Sequence, residues 1–267
     1  MEIINFKDID FSNLSKLQQQ GTKSSLYRDE HTCYKILDGL YEEEKWNLYK
    51  KFIDMDGIQI DGVLLPRQLI IQDNKLYGYT MDYFVDSMSL SDKFMGRYVD
   101  CKKLFNCVIK ASYILRNIHK HGIICQDLSF ENILVNDSDN VAFCDLDGCS
   151  YKNNVAPFIS LLMKRFVVDY RKEQINLSFN LDRISMMISF YYLIFAKELQ
   201  SLSKKEYQKI SDKILTLENS KKYADLLVNT KVPINYIPYL DELIDINDDY
   251  IYDREKQISL IKRLLRK

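Results

Sequence analysis

The chain has 267 residues, 46% of them hydrophobic, with 37 Lys and Arg set against 38 Asp and Glu. That much apolar material can bury a substantial core in one domain or a compact pair of lobes, which excludes disorder as the main state. A net charge of -1 excludes a global electrostatic pull toward nucleic acid or an anionic membrane.

The opening residues MEIINFKDIDF carry acids where an export signal needs basic charge followed by an apolar run, so a cytoplasmic setting is expected. From Leu17 to Leu37, two apolar-rich runs flank the polar turn Arg28-Asp29-Glu30-His31, which predicts a strand pair. Tyr41 to Ile53 reads as a helix with Leu48, Phe52 and Ile53 on one side and the acids Glu42, Glu43 and Glu44 in its first turn. Leu69-Ile70-Ile71 and Leu76 to Met81 then flank Gln72-Asp73-Asn74-Lys75, a hairpin turn. The first ~84 residues thus read as a small sheet with one helix.

Beyond Asp86 the pattern becomes helical. Leu104, Val108, Ala111, Leu115 and Ile118 recur at helical spacing between Cys101 and His121, and Gly122 terminates the run. Asn132–Val135 and Val141–Cys144 enclose the polar turn 136–140, a second hairpin. The apolar run from Ile184 to Ala196 is shorter than the roughly 20 residues of a membrane span and reads as a buried helix, with mostly helical chain from Leu181 onward. Gln257 to Lys267 reads as a terminal helix with a basic outer face. The six cysteines make no C-x-x-C pair and no regular framework, so reduced thiols are expected.

Chemistry concentrates between Ile118 and Gly148. Phosphoryl transfer needs a carboxylate to orient the attacking hydroxyl, with an amide oxygen and a second carboxylate to hold the magnesium ions bridging the nucleotide phosphates. Asp127, Asn132 and Asp145 supply these groups within one hairpin. Taken singly, Asp127 and Asn132 are also ordinary turn formers.

In order, these residues resemble the protein kinase-like superfamily. His119 with Gly122-Ile123 is similar to the L-H-x-x-G-I lead-in, and Cys125-Gln126-Asp127-Leu128-Ser129-Phe130-Glu131-Asn132 stands where the family has H-R-D-L-K-x-x-N. Asp145-Leu146-Asp147, with Gly148 one place late, resembles D-F-G. Gly21 to Leu26 is similar to the latter part of the glycine-rich loop, with Gln19 and Ser24 at two glycine places. Asp182 with Ser185 resembles the D-x-x-S start of the central buried helix, whose Asp holds the catalytic loop by its backbone; a simple capping Asp is the alternative. The resemblance spans roughly Leu17 to Ala196.

The resemblance implies an α+β, bilobal fold: a small N-terminal β-sheet lobe over residues 1–84 and a helical C-terminal lobe over 85–267, with ATP and Mg2+ in the crevice. It implies Asp127 as base or orienting carboxylate, Asn132 and Asp145 as metal ligands, and Lys35 as the phosphate contact. Glu44 is its expected clamp, with Glu42 and Glu43 as alternatives. Gly21 and Ser24 would border the nucleotide, and backbone near Asp82 and Phe84 would meet the adenine edge. Asp147 either helps bind magnesium or caps the following turn.

Several positions depart from the family. Gln126 replaces the arginine that pairs with an activation-loop phosphate, so no dependence on such a phosphate is expected. Ser129 replaces the lysine that neutralises the transferring group, with Lys152 as a possible substitute cation, and residues 150–181 lack A-P-E. The expected activity is transfer of the ATP γ-phosphoryl group to a protein serine or threonine hydroxyl. The alternatives are a small-molecule hydroxyl, since Asp147 resembles the D-x-D-like ends of aminoglycoside and choline kinase-type enzymes, and a non-catalytic binding module. No nucleic-acid or membrane partner is expected.

Overall fold

The computed structural model describes residues 1–17, 24–96, 98–152, 179–195, 239–242 and 251–253. It is a mixed α+β protein built on a six-stranded N-terminal sheet, with helices packed on it and following it. Among the described residues no helix is long and apolar enough to cross a membrane.

The sheet comprises β1 (Glu2–Asn5), β2 (Ser15–Lys16), β3 (Ser25–Arg28), β4 (Thr32–Ile36), β5 (Gln68–Gln72) and β6 (Lys75–Asp82), in the order β1-β5-β6-β4-β3-β2. Only β1 is parallel to its neighbour. The β3–β4 turn closes as the sequence predicts, because the Asp29 carboxylate accepts from the backbone N–H groups of His31 and Thr32 at 2.9 and 2.7 Å. The β5–β6 hairpin turns through Asp73 and Asn74, both at positive φ, a conformation these residue types tolerate. β6 crosses β4 so closely that a Cβ at Gly78 would lie 2.2 Å from the Lys35 carbonyl oxygen.

Helix α1 (Glu42–Asp54) packs on this sheet. Its inner face corrects the sequence reading. Leu48 and Phe52 are buried as expected, whereas Ile53 is 43% exposed and Lys51 takes the inner place at 5%. Phe52 meets the Tyr79 ring edge-on at 5.0 Å, anchoring the helix against β6.

Past the sheet come β7 (Ser87–Ser89), α2 (Leu90–Phe94), β8 (Tyr98–Asp100) and α3 (Cys101–Lys120). The short strands and α2 interrupt the helical pattern expected beyond Asp86. In α3, Leu104, Val108, Ala111, Leu115 and Ile118 are all fully buried, and Gly122 ends the helix at φ 76°. β9 (Ile123–Ile124), β10 (Ile133–Asn136), β11 (Val141–Phe143) and β12 (Ser150–Tyr151) follow. β10 pairs with β11 as the expected second hairpin and with β7 on its other side, and β12 pairs with β9.

Helix α4 (Phe179–Phe195) buries Leu181, Met186, Phe190 and Leu193, and a last strand, β13 (Ile251–Asp253), pairs with β8. Two hydrophobic clusters result: one between the sheet and α1, the other around α3, the β10–β11 hairpin and α4. The five described cysteine side chains are free thiols. Residues 153–178, most of the chain after Phe195 and the expected helix 257–267 lie outside the described residues.

Candidate functional site

The site forms where β4 and α1 meet the two loops that bracket the β10–β11 hairpin. Asp127 lies on the first loop and is exposed. Its loop is held from below by Asp182, fully buried in the first turn of α4. The Asp182 carboxylate accepts from the backbone N–H groups of Cys125 and Gln126 at 2.7 and 2.8 Å, and its Oδ2 lies 3.0 Å from Nε2 of His119. The other ring nitrogen of His119 is 2.7 Å from the Tyr239 hydroxyl. Capping of α4 alone does not describe this residue: it fixes the backbone two positions before Asp127.

That grip holds strain. Gln126 adopts φ 63°, an uncommon left-handed conformation for a non-glycine residue that costs of order 1–3 kcal/mol. Its side chain is 1% exposed, and among the described residues neither end of its amide finds a partner.

Asn132 closes the same loop. Its Nδ2 donates to the Asp127 carbonyl at 2.9 Å, which leaves Oδ1 for a ligand. Its carbonyl accepts from the N–H of Cys144 at 3.0 Å, so the residue before Asp145 is tied directly to the Asp127 loop. The spacing Asp127, Asn132, Asp145 therefore has a structural reason: one hairpin brings its two ends together.

Asp145 follows β11 in a left-handed conformation, φ 61° and ψ 41°, which turns the chain into a short 3-10 segment, Leu146–Gly148. Its carboxylate pairs with the ammonium of Lys35, buried on β4, and the same ammonium lies 2.8 Å from Asp147 Oδ2. Lys35 also sits 5.8 Å from the ring centre of Tyr79, its cross-strand partner. The Asp145 side chain remains 45% exposed, against 17% for Asp147.

Two carboxylates around one ammonium leave excess negative charge. Burial and the neighbouring Asp147 raise Asp145 above the ordinary carboxylate range, outweighing Lys35. Burial opposes ionisation of Asp147 too, but the ammoniums of Lys35 and Lys51 and a hydrogen bond from Asp145 hold it low. Asp127 reaches solvent, yet the protein packed around its carboxyl, and then the charge of Asp147, raise it as well.

Glu44 is not the clamp. Its Oε2 accepts from the Tyr41 N–H at 2.8 Å, the return half of a capping box at the start of α1. Glu42 faces Lys45 and Lys75 at the same exposed helix end. The carboxylate that answers Lys35 besides Asp145 is Asp147, so Asp147 does more than cap a turn. Lys51, absent from the sequence reading, donates to the carbonyls of Asp147 and, at 2.8 Å, Cys149. Its signal was present: Leu48, Lys51 and Phe52 stand at i, i+3 and i+4 on one face.

Of the remaining expected residues, Gly21 lies outside the described residues, and Ser24 enters β3. Asp82 ends β6 with its carboxylate on Arg67 at 2.6 Å, and the Phe84 carbonyl accepts from the Ser87 hydroxyl at 2.5 Å. Lys152 lies with its ammonium 5.0 Å from the centre of the Tyr151 ring.

Among the described residues no three of His, Cys, Asp and Glu gather closely enough to hold a metal alone. The donors nonetheless fit magnesium, which is usually bound by one or two carboxylates together with waters and substrate phosphates. A half-exposed carboxylate, Asp145, and a tied amide with a spare oxygen, Asn132, are such donors. No protein-family model matches the chain, and no curated protein matches it.

Proposed function

We propose that the chain is an ATP- and Mg2+-dependent phosphotransferase of the protein kinase-like class, acting on a hydroxyl. The observation that carries this reading is the meeting of Lys35 with Asp145 and Asp147, 110 and 112 residues further along, beside a loop that presents Asp127 and Asn132. The two hydrophobic clusters support a bilobal arrangement, with a sheet lobe over 1–84 and a helical lobe over 85–267.

In this reading Lys35 contacts the nucleotide phosphates, Asp145 and Asn132 hold the metal, and Asp82 and Phe84 offer backbone groups to the adenine. Magnesium supplies charge neutralisation across the phosphate oxygens. Asp127 accepts the proton of the acceptor hydroxyl as that oxygen bonds to the γ-phosphorus and the bond to the β–γ bridging oxygen breaks, releasing ADP.

A protein serine or threonine hydroxyl is the first acceptor, supported by the His119 to Ile123 lead-in, whose histidine joins the Asp182 network. A small-molecule hydroxyl is the second, favoured by the placement of Asp147 at Lys35, since a second acid two residues on resembles the aminoglycoside and choline kinase-type enzymes.

The test is transfer from labelled ATP to protein, sugar and amino-alcohol acceptors by the wild type and Asp127→Asn. Asp127→Asn is expected to lose about 10³-fold in turnover, within the usual range for a general base, with Mg·ATP affinity within about twofold. Undiminished turnover overturns the mechanism. Mg·ATP binding by the wild type without transfer to any acceptor leaves the non-catalytic binding module.

A further inference from the structure

We infer that Lys51 is a positioning residue of this site, joining α1 to the metal-binding loop through a clamp whose charges are exchanged relative to the expected lysine–glutamate pair. The inference rests on the phosphotransferase reading above. In the expected arrangement an acid on the helix would answer Lys35 directly. Here three of the four acids of α1 lie in its first turn and the fourth, Asp54, is exposed at its last residue, and the inner face presents a second cation instead.

The connection runs in two steps. Lys51 donates from α1 to the carbonyls of Asp147 and Cys149, and the Asp147 carboxylate reaches Lys35 on β4. Burying an ammonium is costly, and two carbonyls spaced two residues apart accept two of its three protons and offset part of that cost. They also pin the middle and the far end of the turn that begins at Asp145, whose left-handed backbone needs support from its surroundings. A shift of α1 would thus release the metal-binding carboxylate and the partner of Lys35 together. The bland alternative is that Lys51 is a strut between helix and turn with no bearing on the ligand.

The full-length chain tests this with Lys51→Met and Lys51→Arg, first by amide exchange without nucleotide. The Cys149 N–H, bonded to the Leu146 carbonyl at 3.1 Å, reports the turn, while Phe143 and Cys144, bonded to Gly62 and Asn132, are internal controls. In Lys51→Met the Cys149 amide is expected to exchange at least about tenfold faster, with both controls within about twofold, as for local opening. Mg·ATP affinity by calorimetry is expected to weaken by about tenfold, within the usual range of site coupling, and Lys51→Arg to restore most of both effects.

Unchanged Cys149 protection overturns the inference, and so does simultaneous loss at all three amides. A loosened turn with unchanged Mg·ATP affinity also overturns it, leaving the strut. If Lys51→Met does not fold, Lys51→Gln, which keeps donors without charge, is read by the same measures. Should the wild type itself fail to bind Mg·ATP, the phosphotransferase reading falls and with it the role of Lys51 in ligand binding, while the exchange data still decide whether the clamp exists.

Discussion

The loop carrying Asp127 is gripped by a buried anion that collects N–H groups, whereas the loop carrying Asp145 and Asp147 is gripped by buried cations that collect carboxylates and carbonyls. Asp182 receives donors from Cys125, Gln126 and His119 and is sealed from solvent, so no ligand can replace its partners. Lys35 is different, because its bonds go to carboxylates that solvent reaches and that a metal ion could claim. One loop is therefore fixed scaffolding, and the other is held by contacts that a nucleotide could exchange for its own.

The largest effect should fall on the scaffolding side. Removing the Asp182 carboxylate leaves two backbone N–H groups and a histidine without their acceptor under a strained backbone, so Asp182→Ala is expected to cost about 3–5 kcal/mol in urea unfolding. Lys35→Met should behave the other way round. Water or metal relieves its half-exposed partner Asp145 and the Lys51 ammonium still faces the more buried Asp147, so a smaller stability loss of about 1–3 kcal/mol is expected, while transfer falls by about 10²–10³-fold as the proposed phosphate contact is lost. Glu44→Gln is the control and should leave transfer within about twofold, because Glu44 serves the helix cap. Equal stability losses in Asp182→Ala and Lys35→Met would break the contrast between the loops.

The same contrast separates what was legible in the sequence from what was not. The α3 stripe and the 136–140 turn depend on local periodicity and turn chemistry, and both stand where the pattern puts them. The Asp182 contact was legible only through the family resemblance, since its partners lie 56 and 57 residues away. The clamp was misread because three acids at the start of α1 drew the eye to Glu44, whereas the buried face runs through Leu48, Lys51 and Phe52. Lys50 and Lys51 read alike in sequence, yet one is exposed and the other buried. Only their place on the helix relative to Leu48 and Phe52 decides between them. The parallel docking of β1 on β5 likewise joins distant segments and leaves no local trace.

The smallest expected effect tests whether the two loops sense one another's charge. Asp127 sits above its ordinary value of 3.8 because burial disfavours its anion and the charge of Asp147 repels it. In its proposed role as base Asp127 must be ionised to accept a proton, so kcat/KM should fall as pH drops through that raised value. Asp147→Asn removes the repulsion and leaves the burial, so the limb of its residual activity should move to lower pH. The direction follows from the sign: with less negative charge nearby, the Asp127 anion is easier to form and protonation needs more acid. An unmoved limb would make burial the whole cause and isolate Asp127 from the lysine-held loop. An upward shift would mean that Asp147 reaches Asp127 chiefly through the cations it gathers, so that losing it changes the field of Lys35 and Lys51 more than its own.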